Sequence, residues 1–478
     1  MTKRRNLDIK KDFNELEKSF NIIKNSKYRQ YYHVNPITGL LNDPNGFSYH
    51  NGKWILFYQW YPFAPFHGQK HWYRTESNDL VDFENKGVGI IPNKDFENNG
   101  AYSGTALSKD DKLHIFYTAN YRDENSIRKP KQIHAVLENG LDNKNIIIET
   151  NYIYTEHQRD PSIYYNAKDK NYYIFIGAQT KEKKGCIILY KSSDLEKWNF
   201  QGQLKIEGYE DFGYMWECPS FTNIDGKDVL LFSPQGIKSK NYKFENKDNN
   251  GYIIGEMNFN NNEFIPHSEF IQIDRGFEFY ASQIAKKKED NYLISWLGLP
   301  DVNTSMDNEF ANSSLSLVRK LKIKDNMIYQ KIVNLDNYFN SRYHLIGDSL
   351  EIEEMKPMKI SLSDIKQNLT IQIYGKKDQE NSGVNFIYDN DLIILDRRYM
   401  DNIFNKESSN IRCIKETLYN LEIYIDKSSI EILINDGKYS MTSRVLPSET
   451  ENMLKIKSSG KININYTEIK KIDEKFIL

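Results

Sequence analysis

Cysteine is scarce in this chain, and its placement excludes more than its number does. Cys186, Cys218 and Cys413 are odd in count, far apart and without the paired spacing of a metal site. Neither a disulfide framework nor a metal-binding module is therefore expected, and a reducing compartment fits. Long apolar runs are missing as well; none approaches the roughly 18 residues a membrane helix needs, so no membrane partner is expected. The basic start Met1-Thr2-Lys3-Arg4-Arg5-Asn6 runs on into more charged residues instead of an apolar stretch. No signal peptide is read, and a cytosolic location is expected. Charge of one sign is also lacking: 64 Lys and Arg against 66 Asp and Glu leave a net charge of -2. Nothing there resembles a polyanion-binding face, which makes nucleic acid a poor partner. The oligomeric state is left open.

What the chain does have is length and aromatic side chains. Its 478 residues exceed one ordinary core and predict two domains. The 33 tyrosines, 25 phenylalanines and 6 tryptophans favour strands, and flat rings also suit sugar faces. Phe13, Leu16, Phe20 and Ile23 share one helical face, which predicts an amphipathic helix within an N-terminal segment 1–30. After Tyr31 the pattern changes to short apolar-aromatic runs between Asn, Asp, Gly and Lys turns, the signature of an all-β region.

A turn followed by a strand recurs there. The strands carry Phe57, Phe116, Phe175 and Phe232, and a less regular fifth copy carries Trp296. A second repeat, Ser77-Asn78-Asp79-Leu80 and Ser192-Ser193-Asp194-Leu195, follows its own anchor by about 20 residues. Copies near 60 residues long, each holding several strands, fit four-stranded propeller blades. Five blades are predicted over 31–335, followed by a linker at 336–350 around Asp336-Asn337-Tyr338-Phe339-Asn340. Alternating segments such as Leu421–Ile425 and Ile430–Ile434 predict a β-sandwich over 351–478.

Three carboxylate motifs precede the anchors at matching places: Asn42-Asp43-Pro44-Asn45-Gly46, Arg159-Asp160-Pro161 and Trp216-Glu217-Cys218-Pro219. Asp43 lies 14 residues before Phe57, Asp160 15 before Phe175 and Glu217 15 before Phe232. The other two copies hold Tyr102 and Ala281 there. With the innermost strand of each blade first, three acids at one address converge on the propeller axis. Two carboxylates flanking a sugar suffice to cleave a glycosidic bond, one as nucleophile and one as acid/base. Polar Asn42 and Asn45 beside Asp43 suit an ionised nucleophile, and apolar Trp216, Cys218 and Pro219 beside Glu217 suit a protonated acid. Asp160 is left to stabilise the oxocarbenium-like transition state.

On these motifs the chain resembles glycoside hydrolase family 32, the β-fructofuranosidases, over nearly its whole length. Asn42–Gly46 is similar to the family's nucleophile motif, Arg159-Asp160-Pro161 to its transition-state motif and Glu217-Cys218 to its acid/base motif. Phe57-Tyr58-Gln59, Tyr102-Ser103-Gly104 and Trp72 resemble segments that line the pocket. The resemblance thus implies Asn42, Gln59, Trp72, Tyr102, Ser103, Arg159 and Cys218 as substrate-binding residues. Asp426-Lys427-Ser428-Ser429-Ile430-Glu431 and Asn435-Asp436-Gly437 resemble its sandwich signature. It implies a five-bladed propeller plus β-sandwich, a covalent fructosyl-enzyme with retained configuration, and no cofactor or metal. The expected substrate is a small sugar: sucrose 6-phosphate or sucrose, alternatively an inulin- or levan-type oligosaccharide. A silent sugar-binding propeller is the reading from another class; it predicts loss of at least one acid. The sandwich is expected as a structural partner, with a carbohydrate-binding module as its alternative. Leu40-Leu41, Tyr73-Arg74 and Arg275 depart from the family pattern and bear on the leaving group. Arg74 is either a rim cation for a phosphorylated glucose or a solvated arginine. The loop bearing Arg122, Arg128, Lys129 and Lys131 poses the same alternative. For Cys218, a hydrogen bond tuning Glu217 and plain packing are both open.

Overall fold

The computed structural model describes residues 5–137, 143–300, 311–402 and 409–478. The predicted helix forms over Ile9–Ile23, where Asp8 caps its start by accepting from the Lys11 amide. Leu16, Phe20 and Ile23 bury. Phe13 sits on the margin, edge-on to Phe476 near the C-terminus.

Five blades follow, and their inner strands are Gly39–His50, Ala101–Lys109, Gln158–Asn166, Met215–Ile224 and Tyr280–Lys287. Each inner strand touches the next, and the fifth touches the first, so the sheets close into a ring. The anchors Phe57, Phe116, Phe175 and Phe232 are fully buried on the second strands. Apolar clusters fill the wedges between blades; one joins Phe57 and Trp72 of blade 1 to Ile115 and Tyr117 of blade 2. The Ser-x-Asp-Leu repeat proves to be one turn used twice. The Ser77 and Ser192 hydroxyls each accept from the Leu amide three residues on, at 2.9 Å. Leu80 and Leu195 are both left-handed there, at φ +72° and +70°.

The second region is one curled sheet of ten strands. Strand Met453–Ile469 pairs with Leu369–Gly375 through its first half and with Met358–Ser363 through its second. It therefore runs through both layers, with a buried apolar core between them. The expected sandwich is thus a sheet folded on itself. Its other through-going strand is Phe339–Ile352, preceded by the 3₁₀ turn Leu335–Tyr338, so residues 336–350, expected as a linker, carry regular structure.

Ion pairs knit the two regions together. Asp426 accepts from the Tyr31 and Tyr32 amides at 2.8 and 3.1 Å and from His33 Nδ1 at 2.8 Å. Glu431 takes His33 Nε2 at 3.0 Å, the Leu317 amide at 2.7 Å and Arg319 Nη2. Arg397 clasps Glu278 with two bonds of 2.6 and 2.7 Å. The acids of the signature Asp426–Glu431 are thus fastenings between propeller and sheet. Arg275 also lies on this seam, donating to the Tyr242 and Cys413 carbonyls.

Candidate active site

Every inner strand carries the same irregularity. Two of its residues face one residue of the second strand: Asn42-Asp43 opposite Gln59, Tyr102-Ser103 opposite Thr118, Asp160-Pro161 opposite Ile176, Cys218-Pro219 opposite Phe232, and Ala281-Ser282 opposite Ser295. Such a β-bulge bends the strand and re-aims its side chains, here at the axis end of all five blades. Asp160, Cys218 and Ala281 take positive φ at the bulge, +63°, +47° and +53°, a strained conformation held by the surrounding sheet. The acids do not share one address as the count from the anchors suggested. Asp43 is the second bulge residue, Asp160 the first, and Glu217 the residue just before. Two close approaches hold this register. A Cβ on Gly104 would meet the Phe116 carbonyl at 1.9 Å, and one on Gly177 the Trp216 carbonyl at 2.2 Å.

Asp43, Asp160 and Glu217 line one pocket of about 330 Å³, with Asn42, Gln59, Tyr102 and Arg159. This is a small-ligand volume. Both oxygens of Asp43 accept hydrogen bonds: Oδ2 from Ser103 at 2.5 Å and Oδ1 from Asn42 Nδ2 at 3.1 Å. Asn42 Nδ2 also donates to Gln59 Oε1 at 2.8 Å, and Gln59 Nε2 to Ser103 Oγ at 2.5 Å. Lys70, 4% exposed, donates from Nζ to Asn42 Oδ1 at 2.6 Å. An ammonium only donates, so it fixes the sense of the whole chain: Lys70 to Asn42, Asn42 to Gln59, Gln59 to Ser103, Ser103 to Asp43.

Burial pushes the Asp43 carboxyl up, as does the charge of Glu217, while Ser103, Asn42 and Lys70 pull it back. Burial and the charge of Glu217 likewise lift Asp160, to about 7. Arg159 and the Cys218 amide, which donates to Asp160 Oδ2 at 3.0 Å, oppose that rise. Burial lowers Lys70 to about 7, against the attraction of Asp43. Among the lining side chains, three carboxylates thus face two cations, Lys70 and Arg159.

The apolar surroundings expected for Glu217 are not found. Arg159 donates from Nε and Nη2 to its Oε1 at 2.8 and 2.6 Å. Gln235 Nε2 and the Tyr280 hydroxyl donate to Oε2 at 2.8 and 2.6 Å. Trp216 packs instead against Phe232 in an apolar cluster, so sequence neighbours were the wrong guide. Cys218 does not reach Glu217 either; its Sγ lies 3.6 Å from Asp160 Oδ2. Trp72 is fully buried and supports the pocket from behind, donating to the Tyr102 carbonyl at 3.1 Å. Arg74 is two residues further along that strand, ion-paired to Glu76 at 2.5 Å and not among the residues that line the pocket. Lys70, Gln235 and Tyr280 went unread in the sequence. Tyr280 adjoins Ala281, the residue counted at the matching place in the fifth copy, and Lys70 lies two residues before Trp72.

Comparison with known proteins agrees with this geometry. The N-terminal domain of glycosyl hydrolases family 32 matches residues 33–332, and the C-terminal domain of that family matches 321–472. A sucrose-6-phosphate hydrolase of Vibrio alginolyticus is 37% identical over 439 residues, 86% of this chain and 85% of the relative. That of Bacillus subtilis is 32% identical over 95% of this chain and 96% of its own length. The solved sucrose-6-phosphate hydrolase from Lactobacillus gasseri superposes with a TM-score of 0.92 at 32% identity, covering 98% and 99% of the two chains. The chain belongs to glycoside hydrolase family 32 and is a β-fructofuranosidase by family.

Proposed function

We propose that this enzyme hydrolyses sucrose 6-phosphate with retention, Asp43 acting as nucleophile and Glu217 as acid/base. The observation that carries the roles is the pairing of two differently held carboxylates in one pocket. Asp43 is cradled by Ser103 and Asn42, whereas Glu217 meets a hydroxyl able to follow its protonation. Asp43 attacks the anomeric C2 of the fructosyl ring as Glu217 gives its proton to the bridging oxygen. Glucose 6-phosphate departs, leaving a fructosyl ester on Asp43. Glu217, now ionised, takes a proton from water, whose oxygen displaces Asp43 and releases fructose. Asp160, held by the Cys218 amide, faces the ring and stabilises its developing positive charge.

Tyr280 gives the acid/base its freedom. Arg159 and Gln235 can only donate to Glu217 through the atoms they present, but a phenol both donates and accepts. Its hydroxyl donates to the carboxylate and, by rotating, accepts from the carboxylic acid. The phosphorylated substrate is supported by relatives of that name across almost the whole chain. Residues 31–335 are taken as the catalytic unit and 351–478 as its structural partner. A cytosolic site is supported by three free, buried cysteines; no described helix is long and apolar enough to cross a membrane.

The test is kinetic. Asp43→Asn should lower kcat by about 1,000-fold or more, as expected when a nucleophile is lost; near-normal turnover would remove Asp43 from that role. Wild-type kcat/KM should favour sucrose 6-phosphate over sucrose by more than about tenfold, the ~1.4 kcal/mol of one good charged contact. Equal values, or preference for an inulin-type oligosaccharide, would overturn the substrate.

A further inference from the structure

The rim of the pocket is built from hairpins joining the second and third strands of the blades. In blade 1 that connection, residues 62–70, supplies His67, Gly68, Gln69 and Lys70 to the lining. The blade 2 counterpart, residues 120–130, leaves the sheet where Ala119 pairs with both Ala101 and Lys131, the end that bears Tyr102. Arg122 is locked to the rim through its backbone. Its amide donates to Asn98 Oδ1 at 3.0 Å, and Asn98 Nδ2 to its carbonyl at 2.8 Å. The next residue, Asn99, lines the pocket. Arg122 and Arg128 pair across the hairpin as an antiparallel bridge.

The hairpin carries Arg122, Arg128 and Lys129 against Asp123 and Glu124, and neither arginine is ion-paired among the described residues. The Nε atoms of Arg122 and Arg128 are both buried without a hydrogen-bond partner among the described residues. Arg128 makes no ion pair or side-chain hydrogen bond among them either, and Arg122 spends only Nη1, on the Ser126 carbonyl at 2.7 Å. The loop's Asp123 is occupied by Lys129 at 2.9 Å and by the Ile127 and Asn125 amides. Lys131 is taken by Glu149. Burial lowers the Arg128 guanidinium, and so do the neighbouring charges of Arg159 and Arg122; Tyr102 and Glu156 oppose them. Two crowded guanidinium groups with free buried donors are in the state that a dianion relieves, because arginine forks match phosphate oxygens in pairs. Two of these four neighbours of Arg128, Tyr102 and Arg159, line the pocket.

We propose that this hairpin is an anion subsite in which Arg128, with Arg122 beside it, holds the phosphate monoester of the leaving sugar. The inference rests on the phosphorylated-substrate reading and names the residues that would carry it. Fructose occupies the floor between Asp43 and Glu217, and the leaving sugar lies toward the rim, with its phosphate over blade 2. In this arrangement the phosphate contact lies outside the reacting bond and acts on binding.

The test compares kcat/KM for sucrose 6-phosphate and sucrose in wild type, Arg128→Met and Arg122→Met. In Arg128→Met the preference ratio should fall by about 30-fold, ~2 kcal/mol at 1.4 kcal/mol per tenfold. Arg122→Met should lower it in the same direction. Inhibition by glucose 6-phosphate should weaken in parallel. Wild-type preference for the phosphorylated sugar that persists in Arg128→Met would overturn the subsite alone. An equal fall for both sugars would also overturn it, by showing a general effect on the pocket. A wild type that does not distinguish the two sugars would sink the substrate reading, and the subsite with it.

Discussion

Lys70→Met is the most informative perturbation of the nucleophile. Methionine keeps the length of the buried stem but removes the donor at the head of the hydrogen-bond chain. Asn42 Oδ1, which accepts from Lys70 Nζ at 2.6 Å, is left without that bond in a buried site. Removing one charged partner of a buried hydrogen bond costs about 1.5–3 kcal/mol, or about 10- to 150-fold in rate. Freed of the ammonium, the Asn42 amide can turn over. Its Nδ2 then no longer donates to Asp43 Oδ1, and the direction of the bond through Gln59 and Ser103 is no longer set. The loss should appear mainly in kcat. A second readout separates positioning from packing. The Lys70 charge helps to hold the Asp43 carboxyl down, so its removal should move the acid limb of the kcat/KM profile to higher pH. Assays across the pH range, with thermal unfolding to confirm an intact fold, read both effects. A fall of under about threefold with an unmoved acid limb would refute the argument, because a neutral, merely space-filling Lys70 predicts that outcome.

Other consequences are equally direct. Tyr280→Phe removes the hydroxyl that donates to Glu217 at 2.6 Å and should lower kcat about tenfold or more; an unchanged kcat would deny Tyr280 its part in the proton transfer. His33→Gln should destabilise the seam by ~3 kcal/mol, since it leaves the buried Asp426 and Glu431 short of a cation, measured as a lower unfolding temperature. Burial opposes a charge on His33, but Asp426 and Glu431 outweigh it and raise its pKa from 6.5 to about 9. Its folded pKa is therefore the higher one. The stabilisation is complete below about 6.5 and lost as pH rises through about 9. Wild type should accordingly lose more stability than His33→Gln between neutral pH and about pH 9.5, and parallel curves would contradict the assignment.

Much of the architecture was legible because propeller blades repeat in sequence as they repeat in space. Five anchors at a spacing near 60 residues mark five second strands, since a buried strand between two blades requires an aromatic or aliphatic run. The acids were legible for the same reason, to within one residue. The remaining displacement comes from the bulge. It adds one residue to each inner strand and lets side chains on three successive positions turn toward the axis, which a count from the anchor does not reveal. The C-terminal region showed its alternating strands, but not that Phe339–Ile352 and Met453–Ile469 run through both layers. A strand that bends between layers keeps the same alternation on either side of the bend.

The amino-acid order by itself determined the number of blades, the three carboxylates and the family, because each rests on residue types at short or regular separations. Tertiary structure alone decided what surrounds those carboxylates. Arg159, Gln235 and Tyr280 reach Glu217 from three different strands, and Lys70 reaches Asn42 from the blade 1 hairpin. Electrostatic environment depends on distance in space, and closing the ring brings together side chains that the chain itself keeps many residues apart.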